Sequence, residues 1–297
     1  MPQLIIIGAN GELGSATAKH FIQRGYKVSG LIRNKDKAGA LEKIGAEIII
    51  GDLTNPGSLK NVFNHADIVL TAAHGLLGRG KNKSQNVDET GHRLLIDEAR
   101  KAGLKQFIYT SVNNPSPDHP IDFFRTKYTI EQYLINSGLN YTILRLPAFM
   151  EWHAYNLLGK NIVEKGKTTI LGSGENPINF IAIKDIVAAL DKIILNESFY
   201  KKIIPMAGPE DISQNEVAEL FGKALGIKPK VGHVSVGALK VLSTIIQPFH
   251  PGIARVMKFT IASQHTDETI DKKYTVEQFD LIPTRMDEFI NEKIKAR

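Results

Sequence analysis

Apolar positions fall into two alternating rhythms over the first half of the chain. Leu4-Ile5-Ile6-Ile7 is an unbroken apolar run ended by Gly8, the pattern of a strand buried on both faces of a parallel sheet. From Glu12 onward, Leu13, Ala16, Thr17, Ala18 and Phe21 recur at helical spacing, and Gly25 supplies the stop. Residues 27–32, 47–50 and 67–71 predict the second, third and fourth strands. Val87, Leu94, Leu95 and Ala99 mark one side of a helix over about 86–102, closed by Gly103. A fifth strand is expected at 106–110, a helix at about 121–136 and a sixth strand at 141–146. Strands separated by helices imply right-handed crossovers. The expected class is therefore α/β, a Rossmann-type doubly wound parallel sheet.

After Pro147 the rhythm changes. Residues 168–171 and 178–183 predict strands joined by a tight loop through Gly172-Ser173-Gly174-Glu175-Asn176-Pro177. A helix at 185–195 and a strand at 202–206 returning to the main sheet follow. Ser213-Gln214-Asn215-Glu216 fits a capping box that opens another helix, and 286–295 predicts a terminal one. The organisation expected is a nucleotide-binding domain at 1–150, rejoined by about 181–206. A smaller discontinuous substrate lobe would be drawn from 151–180 and 207–297.

Composition narrows the chemistry. Apolar residues make up 42% and charged residues 23% of the 297, enough to bury a large core. No apolar run approaches the ~20 residues of a spanning helix. Pro2-Gln3 leads directly into the first strand without the features of a signal peptide. A cytoplasmic protein with no membrane partner is expected. Zero cysteines exclude disulfides and thiol chemistry. His153 and the other histidines show no ligand spacing, so no metal is expected. No G-x-S-x-G elbow supports a hydrolase. The net charge of +6 comes from scattered basic residues, apart from Arg79, Lys81 and Lys83, and a solvated surface accounts for it. No recognition helix is evident, so nucleic acid is not an expected partner.

The run Gly8-Ala9-Asn10-Gly11-Glu12-Leu13-Gly14 lies between the first strand and the first helix. Its spacing is G-x-x-G-x-x-G. Gly8 permits a sharp turn, Gly11 lets backbone approach a pyrophosphate, and Gly14 allows close helix packing. Gly8, Asn10, Gly11, Glu12, Leu13 and Gly14 are thus candidate dinucleotide contacts. Arg33 holds the position at the end of the second strand where an acidic residue would select NAD, and arginine there suits a 2′-phosphate. Lys37 could reach the same phosphate, so NADP(H) is expected in preference to NAD(H). Asp52 and Leu53 after the third strand are placed for the adenine, although Asp52 would also serve as a helix N-cap.

GANGELG, LIRNKDK, GDL, FIYTSV and the later Lys127 together resemble the atypical short-chain dehydrogenase/reductases of the NmrA-like group. That group spans NADPH-dependent quinone and isoflavone reductases and regulators that bind NADP without turnover. The resemblance implies that Lys127 holds the nicotinamide ribose and that Ser111 lines the nicotinamide pocket, the two candidate catalytic residues. Phe123 stands where ordinary short-chain dehydrogenases carry the tyrosine of Tyr-x-x-x-Lys, which puts their alcohol–ketone mechanism in doubt. An exposed i,i+4 pair of Lys127 with Glu131 is the bland alternative. Thr71, Ala72 and Ala73 would lie beneath the dinucleotide, and Pro147 and Phe149 would pass the nicotinamide. Phe149, Trp152 and Tyr155 would form a substrate wall facing His74, or equally fill core. The expected function is NADPH-dependent reduction of a small organic acceptor such as a quinone, activated enone or imine. The alternative is a non-catalytic NADP(H) sensor. The protein is expected to be a monomer or homodimer.

Overall fold

A computed structural model of the chain describes residues 1–264 and 266–296. In chain order, the first elements are β1 (Gln3–Ile7), α1 (Glu12–Gln23), β2 (Lys27–Ile32), α2 (Gly39–Lys43), β3 (Glu47–Ile50) and β4 (Ile68–Thr71). They continue as α3 (His92–Ala102), β5 (Gln106–Val112), α4 (Asp122–Ile135), β6 (Tyr141–Leu146) and β7 (Ala148–Phe149). Next come α5 (Lys160–Lys165), β8 (Lys167–Leu171), β9 (Ile178–Ile181), α6 (Ile183–Ile193), β10 (Lys202–Pro205) and β11 (Asp211–Ile212). The chain finishes with α7 (Gln214–Leu225), β12 (Lys230–Val234), α8 (Val236–Ile246), α9 (Pro251–Ser263), α10 (Lys273–Phe279) and α11 (Met286–Lys295). These elements divide between two units. One comprises residues 1–145 and 187–204, the other 146–186 and 205–297.

The first unit is built on a seven-stranded sheet in the order β10-β6-β5-β4-β1-β2-β3. Strands β3, β2, β1, β4 and β5 run parallel in register, with Ile7 level with Leu31 and Thr71, and Thr71 level with Tyr109. This register brings Gly8, Arg33, Ala72 and Thr110 out at one edge. The order reverses beside β1, and a reversal at the carboxyl ends of parallel strands opens the crevice where such sheets bind ligands. The apolar run of β1 is sealed on both faces, with Leu4, Ile5, Ile6 and Ile7 at most 1% exposed. Phe107, Leu95, Ile96, Ile130 and Leu134 fill the layer beneath α3 and α4. The late segment is tied in by buried Gln106. Its amide donates to Thr142 Oγ1 and Ile193 O, and its Oε1 accepts from Leu195 N at 2.7 Å.

The helix expected at 86–102 has two parts, a π-helical turn at Gln85–Gly91 followed by α3. The stretch after β7, for which the sequence predicts no element, is also helical. Met150–Gly159 winds as a π-helix into α5, because Met150, Ala154 and Leu158 at four-residue spacing all bury into the second unit's core.

That core also holds Phe180, Val217, Phe221, Met286, Phe289 and Ile290. The strands expected to be joined by a tight loop do not pair with each other. β8 runs parallel to β12, whereas β9 lies between β7 and β11. Gly172 and Gly174, both at positive φ, turn the chain out of one small sheet and into another. The capping box at α7 is formed: Ser213 Oγ accepts from Glu216 N, and Glu216 Oε2 accepts from Ser213 N at 2.7 Å.

Candidate functional site

The turn after β1 is constrained backbone. Gly8 has φ of 85°, and a Cβ there would lie 2.8 Å from Ala73 N. A Cβ on Gly14 would lie 2.4 Å from Gly8 O and 2.8 Å from the Ala9 Cα, so α1 starts in contact with the turn itself. Gly11 N donates to Gly8 O at 2.9 Å, and Gly11 caps α1 without a side-chain bond. The helix therefore presents N–H groups and its positive end at the sheet edge without a side-chain cap bond, an arrangement that suits an anion. Asn10 and Glu12 are exposed on this turn, whereas Leu13 is buried beneath it.

Arg33 follows β2 on the same edge and is exposed. Its Nη1 donates to Asn82 Oδ1 at 2.9 Å. Lys81 Nζ stands 3.6 Å from Asp52 Oδ2. The basic loop assigned to plain solvation thus folds over the ends of β2 and β3 and joins Arg33 in one cationic cluster. Lys37 is exposed at the end of a short 3-10 turn that Asn34 caps. Asp52 does what its capping alternative foresaw. Oδ1 accepts from Thr54 N at 2.9 Å and from Thr54 Oγ1 at 2.8 Å. Partial burial pushes its pKa up, but the Thr54 donors, Lys81 and Arg33 outweigh that and hold it below the usual carboxylate range. Leu53 is a correction: it is 6% exposed and packs on Gly91, so it belongs to the core and offers no face to a ligand.

At the ends of β4 and β5 the side chains form a buried polar cluster. Lys127 is 3% exposed, and its Nζ donates to Thr110 O at 3.0 Å. The ammonium stands 4.7 Å from the centroid of the Tyr109 ring and 5.5 Å from that of Phe123. Burial lowers its pKa despite the opposing pull of Asp88 and Glu131. The exposed Lys127–Glu131 pair does not form. Glu131 is fully buried and takes Arg145 in two bonds, Nη2–Oε2 at 2.6 Å and Nε–Oε1 at 3.1 Å. Ser111 Oγ, Tyr109 Oη and Asp88 Oδ1 are buried without a partner among the described residues. An ammonium has three donors, and Thr110 takes one of Lys127's. Two donors beside an unpaired Ser111 hydroxyl at the end of β5 suit a group rich in hydroxyls, such as a ribose.

Thr71 is a second correction. Its side chain turns away from the sheet edge, and its Oγ1 meets His92 Nε2 at 2.8 Å inside the core. His92 Nδ1 faces Val87 O at 2.9 Å, so Nδ1 carries the proton and Nε2 accepts. Ala72 and Ala73 keep small, half-buried side chains at the edge, where the Ala73 backbone abuts Gly8. His74 is exposed, and its ring meets Phe123 edge-on at 6.2 Å. Crowding by protein lowers its pKa, with Asp88 opposing and Lys127 adding to the shift. Asp88, on the π-helical turn, accepts from Ser84 Oγ at 2.6 Å and Gly75 N at 2.9 Å. Sequence reasoning missed Asn82, Asp88, His92 and Tyr109. They carry no motif and are gathered only by the fold.

The remaining expected residues lie in the second unit. Pro147 precedes β7, and Phe149 N donates to His153 Nδ1 at 3.1 Å. Trp152 is 43% exposed. Tyr155 packs on Phe221 at 6.3 Å with Lys293 over its ring, which is the core-filling alternative. Among the described residues no three His, Asp or Glu side chains are grouped to hold a metal.

The sequence profile of the NmrA-like family matches residues 2–290. Photosystem II assembly factor Ycf39 of Guillardia theta is 30% identical over 239 residues, which span 80% of this chain and 74% of that protein. An NAD(P)H azoreductase of Xenophilus azovorans is 25% identical over 225 residues, 75% of this chain and 74% of the relative. The solved structure of an NADPH-dependent quinone oxidoreductase from Escherichia coli, complexed with NADPH, superposes with a TM-score of 0.78 at 20% identity. It covers 98% of this chain and 99% of its own, a likeness of fold.

Proposed function

The chain belongs to the NmrA-like family, and on that premise we propose that it is an NADPH-dependent reductase of small organic acceptors. One observation carries the reading: a buried lysine with donors to spare bonds the β5 backbone next to an unpaired serine hydroxyl, two strands over from the glycine turn after β1. Bound NADPH would supply a hydride. Gly8, Gly11 and Gly14 would seat the pyrophosphate on the start of α1, and Arg33, with Lys37 and Lys81 nearby, would take the 2′-phosphate. Lys127 and Ser111 would hold the nicotinamide ribose. Phe123 offers no acid, and the Tyr109 hydroxyl, its pKa well raised by burial, stays protonated in the core. Lys127, more acidic than an ordinary lysine, is the donor that could deliver a proton to the reduced acceptor. Acceptors that delocalise incoming charge suit such a site, namely a quinone, an activated enone or an imine. The names of the azoreductase and quinone oxidoreductase relatives support the same class. Purified protein should oxidise NADPH in the presence of such an acceptor, and Lys127→Ala should lower kcat/KM by about 100-fold or more with the fold retained. Turnover at the wild-type rate in that variant would remove Lys127 from the mechanism.

Phe123 and the likeness to photosystem II assembly factors favour a second reading. In it the protein binds NADP(H) and acts on a protein partner without turnover. A panel of acceptors that yields no NADPH oxidation, together with saturable NADPH binding, would select it.

A further inference from the structure

The hairpin of α8 and α9 carries an apolar face that nothing in its own unit covers. Val241 is 60% exposed, Ile245 59%, Phe249 78%, Leu242 39% and Ile253 40%. On a helix turning 100° per residue, Val241, Leu242 and Ile245 fall within one arc of roughly 100°, and Phe249 follows in the turn after α8. Leu239 and Ser243, on the opposite side of α8, are buried. Phe249 stands at the tip, between Pro248 and Pro251.

The stretch of chain that contains this face is one-sided in charge. From Leu220 to Thr266 the chain has no aspartate or glutamate, yet it carries Lys223, Lys228, Lys230, Lys240, Arg255 and Lys258. Those six cations equal the whole formal excess of +6, and the rest of the protein is balanced. Lys258 bonds Gln247, which shares a flank of α8 with Lys240, so cations border the apolar arc.

We propose that the α8–α9 hairpin docks on an anionic lipid surface, with Ile245, Phe249 and Ile253 at the acyl boundary and Lys240 and Lys258 at the headgroup phosphates. An interfacial helix pairs an apolar face with a cationic one in this way. Long lysine stems can lie along apolar surface while their ammonium groups reach the headgroups. A second copy of the chain is the weaker fit, because a shared twofold face would set like charges together. A protein partner would need a groove for a protruding tip, whereas lipid yields to one. No described helix is long and apolar enough to cross a membrane. The expectation of no membrane partner rested on the lack of a spanning run and of a signal peptide, and surface docking needs neither. The inference is independent of the reductase reading.

Vesicle flotation tests it, comparing phosphatidylcholine alone with the same lipid containing one-third phosphatidylglycerol. The protein should float with the anionic vesicles only, and less as salt rises. Ile245→Glu with Phe249→Glu should lower the bound fraction at least about tenfold while leaving NADPH binding unchanged. Lys240→Ala with Lys258→Ala should weaken binding and flatten its salt dependence. Phe249→Trp should gain a blue-shifted emission on adding anionic vesicles. No flotation at low salt, equal flotation of the double glutamate variant, or an unshifted Phe249→Trp emission would overturn the proposal. So would a dimer that the double glutamate variant dissolves, since a second copy would then cover the face.

Discussion

Arg33 is the residue whose chemistry separates two near-identical cofactors. Asn82 holds its guanidinium at the sheet edge, and Lys81 adds a second cation close by. A bidentate guanidinium–phosphate contact is worth more than a neutral hydrogen bond, and about 1.4 kcal/mol is a tenfold change in affinity. Arg33→Ser should therefore weaken NADPH binding by about tenfold or more in a fluorescence titration, with NADH binding little changed. An equal loss for both nucleotides would show that Arg33 does not read the 2′-phosphate. Gly8 and Arg33 could be singled out because each follows a strand whose position the apolar runs mark, and Gly11 and Gly14 because they open the helix after the first of them, whereas Lys127 on α4 was proposed only from the family resemblance. Thr71 and Leu53 were misplaced for the same reason in reverse. Where a strand or its exit is enclosed on both sides, alternation no longer says which way a side chain turns.

Among the described residues two helices begin as π-helix, and the first of these turns organises the polar cluster. It carries Asp88 and Val87 to the sheet, and the next residue after the turn is His92. His92 is fully buried, and its pKa is lowered from 6.5 to about 4, chiefly by that burial and secondly by Lys127. The unfolded chain takes up a proton at this residue below pH 6.5, while the folded one resists until about pH 4. Stability should therefore be complete above pH 6.5 and be lost as pH falls through that window, by roughly 3 kcal/mol from this group. Urea unfolding at pH 7 and pH 4.5 measures the loss, and His92→Gln should flatten it. A slope unchanged in the variant would assign the acid sensitivity to other groups. Periodicity showed a helix here but not its π-turn, since an extra residue per turn alters the face only locally. It likewise showed that the chain reverses near Gly172, but not that β8 meets β12. Local turn chemistry does not encode a partner found some sixty residues later.

At the scale of the whole molecule the α/β alternation was plain from the sequence, and the belonging to the NmrA-like family rests on nearly the full chain. The residues that would choose an acceptor were the least legible. Trp152 and Tyr155 are aromatics without a motif, and aromatics fill cores as readily as they line pockets. The boundaries between the two units fall at 145/146, 186/187 and 204/205, so neither is one continuous length of chain. The sheet's outermost strand, β10, is therefore synthesised some sixty residues after its neighbour β6. Until then the nascent protein carries a bare row of backbone donors and acceptors along β6, a template for pairing with other nascent chains. A fragment that stops at Arg145 should be recovered mainly as aggregate, and supplying residues 146–297 in the same cell should bring it back into the soluble fraction. Soluble, monomeric fragment alone would mean that the growing polypeptide can wait for its last strand without help.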